Sequence, residues 1–311
     1  MLTLQKFIEK INSRTGFTGF LAYDEPMALH TTFRVGGPAD LFIRPQGDGF
    51  PHYAALLREA AGREGIPLFI LGGGANIVVS DRGIRGIVLD SGGWRGAAAE
   101  TLSLAVRSGT PVDEAVETAA AAGLGGLEFL AGMPGTMGGA VWMNARCYEK
   151  SLSDVLAETE ILDESGARRW VSTRPEEFGY KKSPFQNRKA LILQARLALA
   201  PRPEPEIRRE MEDHRRDREA KGHYRCPSAG SAFKNNRDFG KPSGKIIDEL
   251  GLRGLAVGGA AVAPWHGNII INTGGARARE IRALVDEVAA RVRAAAGLTL
   301  EPEILFVGDW E

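Results

Sequence analysis

Alternating apolar and polar stretches along the chain predict a protein built from both helices and strands. Apolar residues recur at helical spacing in four stretches, which predict helices over residues 2–13, 50–62, 112–122 and 277–295. Apolar runs bounded by glycine or proline predict strands over 66–71, 83–90 and 102–106, and two short strands on either side of the turn 36–38. The β-α-β order of the first third is typical of chains that pack helices against a sheet.

Two glycine-rich segments interrupt this pattern. Residues 71–80 (LGGGANIVVS) follow a predicted strand, and residues 130–144 (LAGMPGTMGGAVWMN) are poor material for a packed helix or strand. Without Cβ atoms, successive N–H groups can converge on a phosphate, and Thr136 adds a hydroxyl donor. Taken alone, the second segment could equally be a tight turn between buried elements. Neither segment has P-loop or dinucleotide-fold spacing, and together they favour a long ligand with a central diphosphate.

Composition narrows the range of partners. Lysine plus arginine equals aspartate plus glutamate at 39 each, so no overall field favours nucleic acid or an anionic membrane. No apolar run reaches the roughly 18 residues of a membrane helix, and the charged start does not resemble a signal peptide, so we expect a cytoplasmic protein. Cys147 and Cys226 are too few for a disulfide framework. Neither they nor the five histidines have metal-ligand spacing, so no metal is expected.

Three further segments carry candidate chemistry. Residues 179–186 (GYKKSPFQ) place several polar groups beside a turn, and residues 226–236 (CPSAGSAFKNN) place the Ser231 hydroxyl after a glycine. A serine hydrolase is disfavoured because the Gly-x-Ser-x-Gly motif is absent. Glu303 is predicted to lie buried inside an apolar strand, which is costly unless the carboxylate is paired or used in chemistry. Solvated lysines in the first segment and a solvent-facing Glu303 are the alternatives.

Four other polar residues have two interpretations each, and a fifth, Lys245, has one. Arg34 could reach a phosphate or a ring carbonyl, or be solvated. Asn144 could contact a heterocycle or be a satisfied core amide. Asn235 could bind substrate or stabilise a turn, and His266 is favoured as a structural or sugar-contacting residue over a catalytic one. Lys245 adds charge to the helix predicted at 243–250, whose free N–H groups suit an anion.

Eight segments together resemble the UDP-N-acetylenolpyruvoylglucosamine reductase family, and they span about 31–306. In order, they are FRVGGPAD, LGGGANIVVSDRGIRGIVLD, GLEFLAGMPGTMGGAVWMNA, GYKKSPFQ, SAGSAFKN, GLRGLAVGGA, NIIIN and LEPEI. The resemblance implies non-covalent FAD, NADPH as reductant, and reduction of UDP-N-acetylglucosamine enolpyruvate to UDP-N-acetylmuramate for peptidoglycan. Another FAD oxidase of this fold, or a flavin-binding protein without catalysis, are the alternatives.

The resemblance also implies the architecture. The expected class is α+β, with a two-lobed FAD-binding domain of the vanillyl-alcohol-oxidase (PCMH) type and a smaller α+β substrate-binding domain. The lobes are expected at 1–93 and 94–203 and the substrate domain at 204–298, while 299–311 can return to the first lobe. The charged stretch 204–225 is expected to be a solvated helix joining lobes. A monomer is expected, in the form of the family without a tyrosine loop.

The resemblance assigns roles residue by residue. Hydride would come from flavin N5 and the proton from Ser231, with Lys181 in place of a usual arginine, and Glu303 (or else Glu301) as the carboxylate. A second departure is NARCYE at 144–149, where the family more often has Asn-Ala-Gly-Ala-Tyr-Gly. The expected cofactor-binding residues are Arg34, Gly72, Gly73, Gly74, Ala75, Asn76, Gly135, Thr136, Gly138, Gly139, Ala140 and Asn144. The expected substrate-binding residues are Tyr180, Lys234, Asn235, Lys245 and His266.

Overall fold

The structure is a computed structural model that describes residues 2–188 and 190–311. Within these residues the α-helices are α1 (Leu2–Thr15), α2 (Phe50–Glu64), α3 (Val112–Ala121), α4 (Met137–Met143), α5 (Glu204–Ala220), α6 (Ser243–Glu249) and α7 (Ala278–Ala296). The strands are β1 (Gly19–Pro26), β2 (Pro38–Pro45), β3 (Leu68–Leu71), β4 (Ile77–Val79), β5 (Ile84–Asp90), β6 (Ala97–Glu100), β7 (Ser103–Arg107), β8 (Leu124–Gly125), β9 (Arg146–Cys147), β10 (Lys150–Ser151), β11 (Leu156–Leu162), β12 (Arg168–Ser172), β13 (Leu191–Ala198), β14 (Ala200–Pro201), β15 (Ser228–Ser231), β16 (Ala256–Val257), β17 (Ala260–Val262), β18 (Ile269–Asn272) and β19 (Leu305–Val307).

The chain forms two compact units, each made of several chain segments. Unit 1 contains residues 1–23, 41–73 and 86–216, and unit 2 contains residues 24–40, 74–85 and 217–311. The division passes through β1, β2 and β5. The three-part division predicted from the sequence remains a prediction.

Unit 1 is built on two sheets. The first has the strand order β1-β2-β5-β3, in which β3 and β5 run parallel with Leu68 opposite Ile87. The second is an antiparallel sheet with the order β12-β11-β13-β7-β6. Separate clusters of buried apolar side chains support the two sheets, one centred on α2 and the other on α3 and α4. Burial of these clusters stabilises the unit because apolar surface is removed from water.

Unit 2 is an antiparallel sheet of order β15-β18-β17-β16 covered by α7. The apolar face predicted for this helix is confirmed, since Ile281, Leu284, Val285, Val288 and Val292 are all fully buried. The C-terminal strand β19 pairs in parallel with β4, with Leu305 opposite Ile77. Residues close to the C-terminus therefore lie beside the segment that follows the first glycine cluster.

Most predicted elements are confirmed, but three expectations are wrong. Residues before the turn at 36–38 form no strand, because the Thr31 hydroxyl donates to the Val35 carbonyl (2.9 Å) and Arg34 adopts a φ of +56°. The second glycine segment contains the helix α4 despite its glycines. Glu303 is buried as predicted, but it precedes β19 instead of lying within it.

No helix among the described residues combines the length and the apolar character that crossing a bilayer requires.

Candidate active site

The two glycine-rich segments meet within unit 1 through Gly72, Gly73 and the residues around Gly135. A Cβ atom on Gly73 would lie 2.6 Å from the Cα of Gly135, and one on Gly72 would lie 2.8 Å from the Oγ1 of Thr136. Real Cβ contacts are not this short, so only glycine permits the two backbones to approach so closely. The structure thus brings together the two segments that the sequence separates by some sixty positions.

A third segment, residues 108–112, completes this arrangement and was missed in the sequence. The N–H groups of Met137 and Gly138 donate to the carbonyls of Thr110 (2.9 Å) and Ser108 (2.8 Å). The expectation that the Gly138 N–H would point to a ligand is therefore wrong, because that hydrogen is used inside the protein. Gly138 is glycine for another reason, since a Cβ there would lie 2.7 Å from the Cβ of Ser108.

Two buried hydroxyls in these segments have no hydrogen-bond partner among the described residues. They are Thr136 Oγ1 and Ser108 Oγ. A buried polar atom without a partner costs about 1–3 kcal/mol, so such atoms are uncommon unless a bound molecule supplies the partner. Beside Thr136, a Cβ on Gly139 would meet only the Thr136 hydroxyl, at 3.6 Å. We call residues 72–73, 108, 135–136 and 139 the glycine cradle, and its donors fit an oxygen-rich anion such as a diphosphate.

The rest of the first glycine cluster lies in unit 2 and serves its own backbone. Gly74 has a φ of +61°, and a Cβ there would lie 2.0 Å from the His30 carbonyl oxygen. Ala75 is half-buried. The Asn76 side chain donates to the carbonyl of Glu303 (3.0 Å), and the Asn76 carbonyl accepts from the N–H of Leu305 (3.0 Å). Asn76 therefore holds the chain on either side of Ile304.

Three other predicted cofactor-binding residues differ in burial and in hydrogen bonding. The Arg34 side chain is exposed on a left-handed residue between buried Phe33 and Val35. Ala140 is buried in α4. The buried amide of Asn144 donates to the Gly179 carbonyl (2.9 Å) and accepts from the Ser153 N–H (3.0 Å), which supports the core-amide interpretation, and its contact with a heterocycle stays a prediction.

Asn144 positions the turn that carries Lys181. Gly179 and Lys182 exchange two backbone hydrogen bonds, of 3.1 and 3.0 Å, so Tyr180 and Lys181 form the tip of a tight turn. Lys181 has a φ of +57°, a conformation that costs a residue with a side chain about 1–2 kcal/mol. Strain of this kind concentrates at functional sites. The lysine is half-buried, and its carbonyl accepts from Gln186 Nε2 (3.0 Å).

Ser231 lies at the end of β15 in unit 2, next to a bulge. Ser228 faces Ile271 and Ser231 faces Ile269, so three steps along β15 match two along β18. The extra residue turns the strand, and a Cβ on Gly230 (φ +72°) would meet nothing within 4 Å. Within the described residues the Ser231 hydroxyl has no hydrogen-bond partner. It is therefore a half-buried hydroxyl beside open space.

The same segment brings Glu303 to Ser231. The N–H of Glu303 donates to the carbonyl of Ala232 (2.8 Å), the residue after Ser231. Asn268 fixes this segment, because its amide accepts from the Phe233 N–H (2.9 Å) and donates to the Phe233 carbonyl (2.8 Å). Glu303 is only 7% exposed. Its neighbour Glu301 has a 68% exposed side chain in an ion pair with Lys234. Geometry thus favours Glu303 over Glu301 as the functional carboxylate.

The predicted substrate-binding residues of unit 2 are held mainly by protein contacts. Asn235 Oδ1 accepts from the Ser243 N–H (2.9 Å) at the start of α6. The Lys245 N–H donates to the Pro242 carbonyl (2.9 Å), so the N–H groups of Ser243 and Lys245 in the first turn of α6 are used inside the protein, and the expected anion site there stays a prediction. The Lys245 side chain is exposed and lies 4.0 Å from Glu249. These contacts give Asn235 and Lys245 a structural role.

The histidines near this sheet are neutral at physiological pH. Burial, with the nearby charge of Arg218, lowers the pKa of His223 to about 4. Burial also lowers the pKa of His266, whose Nδ1 accepts from the Asn268 N–H (3.1 Å). His266 therefore acts as a structural acceptor in this turn. Within the part of the chain that is described, no cluster of three or more His, Cys, Asp or Glu side chains could hold a metal ion.

Comparison with known proteins connects both units to named families. Residues 52–172 match the family model "FAD binding domain", and residues 222–307 match "UDP-N-acetylenolpyruvoylglucosamine reductase, C-terminal domain". The UDP-N-acetylenolpyruvoylglucosamine reductase of Treponema denticola is 38% identical over 94% of this chain and 95% of its own. That of Moorella thermoacetica is 38% identical over 95% and 96%. The crystal structure of the Thermus caldophilus reductase superposes with a TM-score of 0.75 at 35% identity, covering 93% of this chain and 99% of the other.

We predict that Gly73→Ala abolishes retention of FAD. The added methyl group would lie 2.6 Å from backbone of the facing segment, so the cradle must open to accommodate it. Flavin absorbance of the purified protein measures the loss. Gly62→Ala is the matched control: it lies in α2 with nothing within 4 Å, should keep FAD, and should stabilise the protein by about 0.5–1 kcal/mol. Full flavin content in Gly73→Ala would contradict the cradle.

We predict that Thr136→Val has opposite effects on folding and on cofactor binding. It replaces an unpartnered buried hydroxyl with a methyl group of similar shape, so the free energy of unfolding of the FAD-free protein should rise by about 1 kcal/mol. FAD affinity should fall about tenfold through loss of the donor. Urea unfolding of the FAD-free protein and fluorescence titration with FAD measure the two effects. Unchanged FAD affinity would show that the hydroxyl faces away from the ligand.

Proposed function

Because the chain belongs to the UDP-N-acetylenolpyruvoylglucosamine reductase family, we propose that it is an FAD-dependent oxidoreductase that reduces UDP-N-acetylglucosamine enolpyruvate to UDP-N-acetylmuramate for peptidoglycan synthesis, with NADPH as reductant. Its first unit carries the cradle that fits a diphosphate. Its second unit places an unengaged hydroxyl, Ser231, on the segment that pairs with the buried Glu303. The hydrogen bond from the Glu303 N–H to Ala232, the residue after Ser231, in a chain that matches the family over nearly its full length, is the observation that carries the proposal.

The glycine cradle would hold the FAD diphosphate non-covalently. Gly72, Gly73 and Gly139 provide the close approach, and the Thr136 and Ser108 hydroxyls provide donors that lack protein partners. FAD supplies the hydride-transfer chemistry that amino-acid side chains lack. The protein contributes binding, orientation and proton transfer.

Lys181 would bind the substrate carboxylate and stabilise the negative charge that develops beside it. A cation fixed in place before the reaction lowers the barrier because no solvent has to reorganise. The tight turn and the left-handed backbone hold Lys181 in one position. A lysine provides a point charge where arginine would provide two parallel donors.

Ser231 would deliver a proton to the substrate carbon, and Glu303 would organise the reacting groups. The hydroxyl is free to reorient because it has no competing partner in the described part of the chain. The backbone of Glu303 is fixed on both sides, because its N–H donates to the Ala232 carbonyl and its carbonyl accepts from the Asn76 side chain. Proton transfer from a positioned group contributes about 10²- to 10⁴-fold to a rate.

The proposal also includes several finer features of the protein. They are the ping-pong order of NADPH and substrate, the monomeric state, the cytoplasmic location, and the form without a tyrosine loop, which the early start of β13 at Leu191 favours. Substrate contacts of Tyr180, Lys234, Asn235, Lys245 and His266 are also proposals.

We expect NADPH to bleach the flavin absorbance of the purified protein without oxygen. Addition of UDP-N-acetylglucosamine enolpyruvate should then restore the absorbance and yield UDP-N-acetylmuramate. Stopped-flow absorbance and chromatography of the product make the measurement. Bleaching by a hydroxylated substrate without NADPH would identify an oxidase instead, and a flavin that no reductant bleaches would identify a non-catalytic flavoprotein.

We predict that Ser231→Ala slows reoxidation by the enolpyruvyl substrate about 10²- to 10⁴-fold and leaves bleaching by NADPH nearly unchanged. Only the step that needs a proton at carbon depends on this hydroxyl. Ser228→Ala, three residues earlier on β15, is the matched control and should affect neither step. Equal slowing of both steps by Ser231→Ala would point to a structural role.

A further inference from the structure

Arg146 and Lys181, two of the positions where this chain departs from the family pattern, belong to segments in direct contact. The guanidinium carbon of Arg146 lies 6.0 Å from the ring centroid of Tyr180, the neighbour of Lys181. The segments are also joined by the hydrogen bond from Asn144 to Gly179 (2.9 Å). The family more often has a glycine at position 146 and an arginine at position 181. This chain has Arg146 and Lys181 there, in adjoining segments.

The Arg146 side chain has donors to spare. Its one hydrogen bond runs from Nη1 to the Ser151 hydroxyl at 3.3 Å, and no carboxylate pairs with it among the described residues. Other arginines of unit 1 do have acidic partners, as Arg168 has Glu160 and Arg202 has Glu128. A guanidinium has five N–H donors, and half-burial of an unpaired cation is unfavourable unless an anion joins it.

Contact with Tyr180 does not explain this charge. A separation of 6.0 Å is at the outer limit of a cation–π interaction, and the ring is 38% exposed. At an exposed site such a contact is worth only about 0.5–1 kcal/mol. The guanidinium therefore has most of its binding capacity unused in the protein itself.

The hairpin that carries Arg146 is held rigidly and under strain. Strands β9 and β10 are joined by Tyr148 (φ +49°) and Glu149 (φ +63°), a turn that normally prefers Asn-Gly. The Tyr148 ring stacks on His214 at 3.9 Å, and its hydroxyl donates to the His214 carbonyl at 3.2 Å. These contacts fix the hairpin in spite of two consecutive left-handed residues, as expected where a precise position matters.

We propose that Arg146 is a second substrate-binding cation, which together with Lys181 binds the carboxylate of the enolpyruvyl substrate. This inference rests on the proposed function. Lysine at position 181 preserves the charge but loses the planar pair of donors, and Arg146 supplies such a pair from the adjoining segment. The positive charge at the site is therefore divided between two chain segments.

The test compares two ligands that differ in the carboxylate. FAD-loaded wild type, Arg146→Gln and Arg146→Lys are titrated by calorimetry with UDP-N-acetylmuramate, which carries a carboxylate, and with UDP-N-acetylglucosamine, which does not. Arg146→Gln should weaken binding of the first about tenfold or more and change the second less than about twofold. Arg146→Lys should retain part of the affinity, and Lys181→Arg added to Arg146→Gln should restore part of what was lost.

Controls keep every outcome decisive. Arg174→Gln, an exposed arginine of the same unit, should change neither affinity, and flavin content with the melting temperature verifies folding. Equal weakening for both ligands, or no weakening, overturns the inference. If the wild type binds the carboxylate ligand through Arg146 and yet is not reoxidised by the enolpyruvyl substrate, that result upholds this inference while the proposed function fails. A wild type that binds neither ligand overturns both.

Discussion

The approach of two backbones with no side chain between them governs the first unit of this protein. At Gly73 and Gly135 the segments are so close that a single methyl group on Gly73 would collide with the backbone of Gly135. Near this approach the Thr136 and Ser108 hydroxyls are buried, and neither has a hydrogen-bond partner among the residues that the structure describes. The fold thus accepts an energetic cost in the protein alone that a bound diphosphate can offset.

The second unit holds the segment of the buried Glu303 against the segment that carries Ser231. It does so with backbone pairing between the segment after Ser231 and the segment around Glu303, and with one buried amide, Asn268, that satisfies both polar groups of Phe233. Side chains on such paired segments vary little in position, which is what proton transfer requires.

Sequence patterns predicted the features that depend on the spacing of nearby residues. They did not predict the features that depend on contacts between residues distant in the sequence. The buried face of α7 follows from periodicity, and the end of α3 at Gly123 follows from a glycine after a helix. The sequence left two interpretations of Asn144 open because its partners, Gly179 and Ser153, are known only once the chain is folded. The helix α4 was missed because its glycines lower helix propensity, yet they are what allows contact with Ser108.

The parallel pairing of β19 with β4 has a consequence for biosynthesis. The core of unit 2 joins Phe33, Val35 and Val78 to residues 229–304, so these early residues cannot be buried there before almost the whole chain has left the ribosome. Contacts so distant in sequence form slowly. Until then the apolar side chains of residues 24–40 and 74–85 stay exposed on the nascent protein. Because exposed apolar surface favours aggregation, the need for chaperones should grow with the time that passes before β19 is synthesised.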